Sequence, residues 1–154
     1  MAPKECTVKI KIDKKRVTGM FDAFDIAIKS HDGQLDKAGK PYVLHPIAVA
    51  DACKGHNDRI VALLHDVVED TPVTLEELSK TFKPEIVEAI DAISRRDKEP
   101  YKEYISRCKK NGIAARVKVL DIQHNLSRID NIYDNKTRDR LKKKYSTALE
   151  ILDN

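Results

Sequence analysis

Leu64-His65-Asp66-Val67-Val68-Glu69-Asp70-Thr71 packs one histidine and three carboxylates into six positions, directly after the apolar run Ile60-Val61-Ala62-Leu63. The run predicts a helix, on which Glu69 falls one turn after His65 and Asp70 one turn after Asp66. Carboxylates carried into a core need cations or a metal ion beside them, because an unpaired buried charge is costly. A helix with a solvated acidic end would satisfy the same eight residues. The choice between the two rests on the rest of the chain.

Outward from this stretch the periodicity is helical nearly throughout. Met20, Phe21, Phe24, Ala27, Ile28 and His31 recur at three- and four-residue steps and give a first helix one apolar face. A turn-rich segment from Asp32-Gly33-Gln34 to Gly39-Lys40-Pro41 follows, and Pro46 suits the first turn of a second helix through Cys53. Asn57-Asp58 is the expected cap of the third helix, which carries the acidic cluster. Thr74-Leu75-Glu76-Glu77 reads as a capping box, and Pro84 opens the next helix, to Ala92. Pro100 precedes another, ended by Asn111-Gly112. Two longer helices are predicted from Ile113 towards Arg128 and from about Thr137 to Leu152. Only Thr7-Val8-Lys9-Ile10-Lys11-Ile12 alternates like a strand. The expectation is an all-α helical bundle, one domain over residues 1–154, with a short N-terminal strand as its one β element.

The bulk properties agree with a soluble cytoplasmic domain. The 154 residues suffice to bury a core without staples, and no apolar run of about 18 residues is available to span a membrane. Met1-Ala2-Pro3-Lys4-Glu5 lacks the layout of a signal peptide. Cys6, Cys53 and Cys108 are an odd number in no ligand-like spacing and suit a reducing compartment. The net charge of +4 is modest. The basic run Lys136-Thr137-Arg138-Asp139-Arg140-Leu141-Lys142-Lys143-Lys144 reads as the solvated face of the last helix rather than as a nucleic-acid surface, since no nucleic-acid motif accompanies it.

The scarce metal-competent residues fall on separate helices. His45 stands at the mouth of the second, His65-Asp66 in the third, and Asp121 interrupts the apolar face of the seventh. Adjacent helical residues point about 100° apart, so His65 and Asp66 bracket an ion rather than face it squarely. His45 and Asp121 complete a set of two nitrogens and two oxygens. A site of that kind without sulfur suits Mn²⁺ or another borderline divalent ion, with positions left for water.

Four ordered segments then carry a resemblance: His31-x-Gly33-Gln34; Lys37-x-Gly39-x-Pro41-Tyr42-x-x-His45-Pro46; Leu64-His65-Asp66-x-Val68-Glu69-Asp70-Thr71; and Lys118-x-x-Asp121-x-x-His124-Asn125. The chain resembles the HD-type hydrolase domain of the Rel/Spo alarmone enzymes, and especially the small alarmone hydrolases. The resemblance implies that His45, His65, Asp66 and Asp121 bind one Mn²⁺ and that Glu69 and Asp70 do catalytic work beside it. It implies a small nucleotide as partner, guanosine tetra- or pentaphosphate losing its 3′-pyrophosphate. Asn125 matches a sugar contact and Lys37 a basic residue of the nucleotide pocket, while Tyr42 reads as packing. Lys118 is expected to offset phosphate charge. One departure stands out: family members carry Arg-Lys where this chain has Asp36-Lys37. A carboxylate cannot stack on a purine or attract its phosphates. Arg128, in the altered segment Leu126-Ser127-Arg128, is the candidate for the missing cation, and Asp36→Arg is expected to tighten binding of guanosine tetraphosphate.

Two rival readings remain. One is a phosphatase acting on another 2′- or 3′-phosphorylated nucleotide such as NADPH, and the other a catalytically silent nucleotide-binding or antitoxin-like module. His124 is expected behind the ligands rather than among them, His31 as a core histidine bracing the Gly33-Gln34 turn, and His56 as exposed. The oligomeric state stays open.

Overall fold

The computed structural model describes residues 14–153. The predicted strand at Thr7–Ile12 lies outside them. Nine α-helices occur among the described residues: α1 (Lys14–Ser30), α2 (Leu44–Ala52), α3 (His56–Leu64), α4 (Val67–Asp70), α5 (Leu75–Ser79), α6 (Pro84–Ile93), α7 (Tyr101–Lys109), α8 (Gly112–Ser127) and α9 (Asn135–Asp153). A single 3-10 turn, Ile129–Asn131, links the last two. The only β pairing among the described residues is an isolated bridge between Leu35 and Pro41. The all-α expectation therefore holds.

Helix α3 runs through the centre. Ile60, Val61, Ala62, Leu63 and Leu64 are all buried, and the helix packs against α1, α2, α6 and α8. Apolar residues on every side of so short a helix leave it no solvated face beyond its first turn. α8 is the second central element and touches α2, α3, α6, α7 and α9. Cys53 and Cys108 are free thiols within the core. No helix is long and apolar enough to cross a membrane among the described residues.

Several predicted ends are confirmed. Thr74 and Glu77 form the reciprocal capping box of α5, Pro84 opens α6, and Pro100 precedes α7. Three are corrected. Asn57 and Asp58 do not cap α3: Gly55 does, and Asp58 lies inside the first turn, where Arg116 donates to its carboxylate from Nε at 2.7 Å and Nη2 at 2.9 Å. Half-buried His56 is the first residue of that helix, not an exposed turn residue. Asn111-Gly112 does not merely stop α7, because the Asn111 side chain accepts from the N–H groups of Ile113 and Ala114 and so starts α8.

The largest correction concerns the opening stretch. The third predicted helix is two helices, with His65 and Asp66 in a turn between α3 and α4. His65 Nδ1 donates to the Ala62 carbonyl at 2.6 Å, an acceptor that a continuous helix offers to the N–H of Asp66. The histidine side chain thus takes a local bond in competition with the helical ladder. The acidic end becomes a separate single turn.

Candidate active site

That break changes what His65 and Asp66 can reach. His65 leaves the end of α3 with its ring fully inside the protein, and His45 enters from the first turn of α2. Asp121 projects from α8. His45 Nε2 lies 3.0 Å from Asp121 Oδ1, and His65 Nε2 lies 3.6 Å from the same oxygen. Asp66 Oδ2 lies 3.0 Å from His65 Nε2 and 3.8 Å from His45 Nε2. His45, His65 and Asp121 offer donor atoms close enough together to hold one metal ion. Asp66 stands at the edge of that group, with its Oδ2 accepting a hydrogen bond from the Tyr42 hydroxyl at 2.6 Å.

The ring positions fit an ion. With Nδ1 of His65 committed to the Ala62 carbonyl, its Nε2 is the atom left to face Asp66 and Asp121, and among the described residues it is buried without a hydrogen-bond partner. Burial opposes a charged ring, but the two carboxylates prevail and hold His65 well above the ordinary histidine range, so these oxygens favour a positive charge among them, the place a metal ion would take. On the other ring, His45 Nδ1 lies 2.7 Å from Nδ1 of His124, whose pKa burial and the neighbouring charges of His45 and Arg128 push down. A neutral His124 accepts the His45 Nδ1 proton and so fixes that ring with its Nε2 against Asp121 Oδ1, the side from which it would reach a metal. His124 therefore stands behind the donor group, as its spacing from Asp121 suggested.

The electrostatics are set by burial opposed by charge. Burial alone would raise the Asp121 carboxyl, but Lys118 Nζ at 2.8 Å and the two imidazoles hold it well below the usual carboxylate range. Burial would likewise raise Asp66, and the His65 ring beside it prevails in the opposite direction. Tyr42 is pushed far above its ordinary value by burial and by the Asp66 charge, so its hydroxyl stays a donor. Glu69 and Asp70, on α4, both titrate higher than usual. Partial burial is the main cause for each, and the Asp66 charge adds to it. The Arg95 N–H, donating to Glu69 Oε1 at 2.6 Å, works against the rise.

The expected substrate contacts divide in two. Asn125 and Arg128 line a cavity of about 400 Å³ together with Leu35, Asp36, Lys37 and Tyr145. Asn125 Nδ2 donates to Asp121 Oδ1 at 2.8 Å, which joins the pocket to the donor group. Lys118 is not in that wall. Its ammonium donates to Asp121 and lies 5.2 Å from the centre of the Tyr104 ring. Buried His31 braces its turn as expected: its Nδ1 meets Gln34 Oε1 at 3.0 Å, and Gln34 Nε2 donates to the Asp70 carbonyl at 3.3 Å. Sequence reasoning missed Tyr42 as the partner of Asp66, and it missed Tyr145 and Leu141, which bring α9 to the pocket. The only available signal for the latter was the apolar pair set among the lysines of the basic run.

The profile of the HD domain family matches residues 23–148. Among curated proteins, a guanosine-3′,5′-bis(diphosphate) 3′-pyrophosphohydrolase of Haemophilus influenzae is 32% identical over 73% of this chain and 19% of its own length. The enzyme of that name from Borreliella burgdorferi is 39% identical over 59% of this chain and 14% of its own. The bifunctional (p)ppGpp synthase/hydrolase SpoT of Escherichia coli is 25% identical over 85% and 21%. This chain thus spans about a fifth or less of the length of these relatives. A solved structure described as a metazoan ortholog of SpoT that hydrolyzes ppGpp superposes with a TM-score of 0.77, at 23% identity, over 87% of this chain and 85% of that one, and so shares the fold. The stretch matched by the profile takes in every residue of the donor group and of the pocket wall, and on that extent the chain belongs to the HD domain family.

Proposed function

We propose that this chain is a divalent-metal-dependent hydrolase that removes the 3′-pyrophosphate of guanosine tetra- and pentaphosphate. The observation that carries the reading is the buried, unpartnered Nε2 of His65 facing Asp66 and Asp121, beside an open cavity and two raised carboxyls. The relatives named above supply the substrate class. His45, His65, Asp66 and Asp121 would hold the ion, and a donor set of nitrogen and oxygen without sulfur favours Mn²⁺. Such an ion lowers the pKa of bound water and polarises a phosphoryl oxygen.

The remaining work falls to this chain's own side chains. Glu69 orients the attacking water and takes its proton. Asp70, on the same single turn, holds the water or the proton from the other side. The water oxygen bonds to the phosphorus attached to the sugar 3′ oxygen, the bond between that phosphorus and the 3′ oxygen breaks, and the 3′ oxygen takes a proton. Guanosine di- or triphosphate and pyrophosphate leave. Asn125 positions the sugar, and Lys37 and Arg128 offset charge in the pocket.

The test is turnover by Mn²⁺-loaded protein on guanosine tetraphosphate, guanosine pentaphosphate and NADPH, with Asp66→Ala as the blank. Pyrophosphate from the guanosine compounds is the expected product. Orthophosphate from NADPH alone would move the substrate to a 2′-phosphorylated nucleotide, and no turnover at all would sink the hydrolase reading.

A further inference from the structure

On the side of the donor group formed by α7 and α9, three cations gather around three aromatic rings. Lys144 Nζ, from α9, lies 4.3 Å from the Tyr101 ring centre and 5.9 Å from that of Tyr145. Arg95 Cζ, just after α6, lies 5.9 Å from the Tyr101 centre. Lys118, from α8, sits over Tyr104, whose ring meets that of Tyr101 edge-on at 5.9 Å. Of the three, Lys118 has a carboxylate partner, Asp121. Arg95 spends Nε and Nη2 on the Glu99 carbonyl, at 2.8 and 2.6 Å, and among the described residues neither it nor Lys144 pairs with a carboxylate within 4 Å. Lys144 is half-buried, and burial together with the charges of Lys118, Arg95 and Arg140 lowers its pKa. The Tyr101 hydroxyl, buried in the same cluster, has no hydrogen-bond partner among the described residues.

Cation–ring contacts return a fraction of what it costs to place an ammonium beside two other cations in a partly dry setting. A cluster that, among the described residues, leaves two positive charges without a carboxylate and a hydroxyl unsatisfied is complementary to a multiply charged anion. The cluster touches the reaction centre at two points. Lys118 is bonded to Asp121, and the Arg95 N–H is bonded to Glu69. It is separate from the pocket walled by Asp36 and Arg128, with Tyr145 lying between the two.

We propose that Arg95, Lys118 and Lys144 form an anion cradle around Tyr101 that takes the terminal phosphates of the substrate and holds the departing pyrophosphate. The proposal rests on the hydrolase reading for its ligand, and it fixes an orientation: the nucleoside lies in the Asp36–Arg128 pocket and the phosphates run past Tyr145 towards α7. The unmatched charge favours pyrophosphate over orthophosphate.

The probe is inorganic pyrophosphate titrated calorimetrically into the whole, metal-free chain, with orthophosphate as comparison. Pyrophosphate should bind the more tightly of the two. Lys144→Met and Arg95→Met should each weaken it about tenfold, the scale of one lost hydrogen bond to a charged group. Lys144→Arg should keep most of the affinity, and Lys143→Met, an equal charge change on the exposed face, should leave it within about twofold. Equal losses from Lys143→Met and Lys144→Met, or no binding by the parent chain, would overturn the cradle. If Lys144→Met does not fold, Arg95→Met and Lys144→Arg decide the question. Cradle binding without turnover on any nucleotide would refute the hydrolase reading alone, and turnover with pyrophosphate affinity indifferent to Lys144 and Arg95 would refute the cradle alone.

Discussion

Arg128 Nη1 lies 3.1 Å from Asp36 Oδ2, so a side chain at the end of α8 is tied to a turn 92 positions earlier in the chain. The other Asp36 oxygen, Oδ1, accepts the N–H groups of Ala38 and Lys40, both at 2.9 Å, and Gly39 closes the turn at φ 76°. Those bonds, with the nearby Arg128 charge, hold the Asp36 carboxyl below its usual range. Asp36 therefore does not deprive the pocket of a cation. It anchors one that arrives from elsewhere, and Arg128 also reaches Asn125 Oδ1 at 3.3 Å.

Asp36→Asn keeps an oxygen for the turn but presents an amide to the guanidinium. KM for guanosine tetraphosphate should rise about fivefold to tenfold, the cost of one charge-assisted contact, with kcat within about twofold. Asp36→Arg should weaken binding rather than strengthen it, since it sets two guanidinium groups together and strips the turn of its acceptor. Steady-state kinetics on both variants checks this, and tighter binding by Asp36→Arg would show that Arg128 is not held for substrate.

Tyr42→Phe removes the donor that fixes Asp66. Metal affinity should fall about 10–100-fold, as is usual when an outer hydrogen bond to a ligand is lost, while Asp66→Ala should lose both the ion and turnover. Titration of Mn²⁺ into each variant measures the difference.

Glu69→Gln should retain the ion and lose at least about a hundredfold in rate, the scale of general-base removal. The raised pKa of Glu69 sets the sign of the pH dependence. A base must be ionised, so the parent rate should fall with decreasing pH at a higher value than an ordinary glutamate would give. The residual rate of Glu69→Gln should lack that limb. An unchanged profile in the variant would assign the limb to another group.

Arg107 fastens the end of α6 to the following loop. It donates to the Asp91, Ala92 and Ser94 carbonyls, and its Nε and Nη2 reach the Glu99 carboxylate at 2.8 and 2.9 Å. Arg107→Ala should cost about 2–3 kcal/mol, read as a lower denaturation midpoint, because several acceptors lose their donor at once. Arg107→Lys should recover little, since an ammonium cannot serve the same fork.

Much of the donor group was legible because its members offend their surroundings. Asp121 interrupts an apolar face, and His65-Asp66 follows a run that is buried from end to end. The break after Leu64 was not legible, for Val67 and Val68 continue the helical pattern and the competing bond is one side chain's choice of the Ala62 carbonyl. Asp36 looked like a defect because its partner lies 92 positions away, a separation that local pattern cannot cross. Tyr42 was read as packing since nothing nearby in sequence shows where its hydroxyl goes. Lys144 was hidden for the opposite reason: amid so many lysines, the one that turns inward carries no mark of its own.

The four residues of α4 are closed at both ends, by Asp66 before them and by Thr71, whose N–H and Oγ1 both bond to the Val67 carbonyl at 3.1 and 2.6 Å. The acids Glu69 and Asp70 thus ride on a short turn of their own, while Asp66, one of the four proposed ligands, lies just outside it. Such a turn is a replaceable cartridge: its acids could be exchanged, and the proposed chemistry retuned or silenced, while the side chains proposed to hold an ion stay where the neighbouring helices place them.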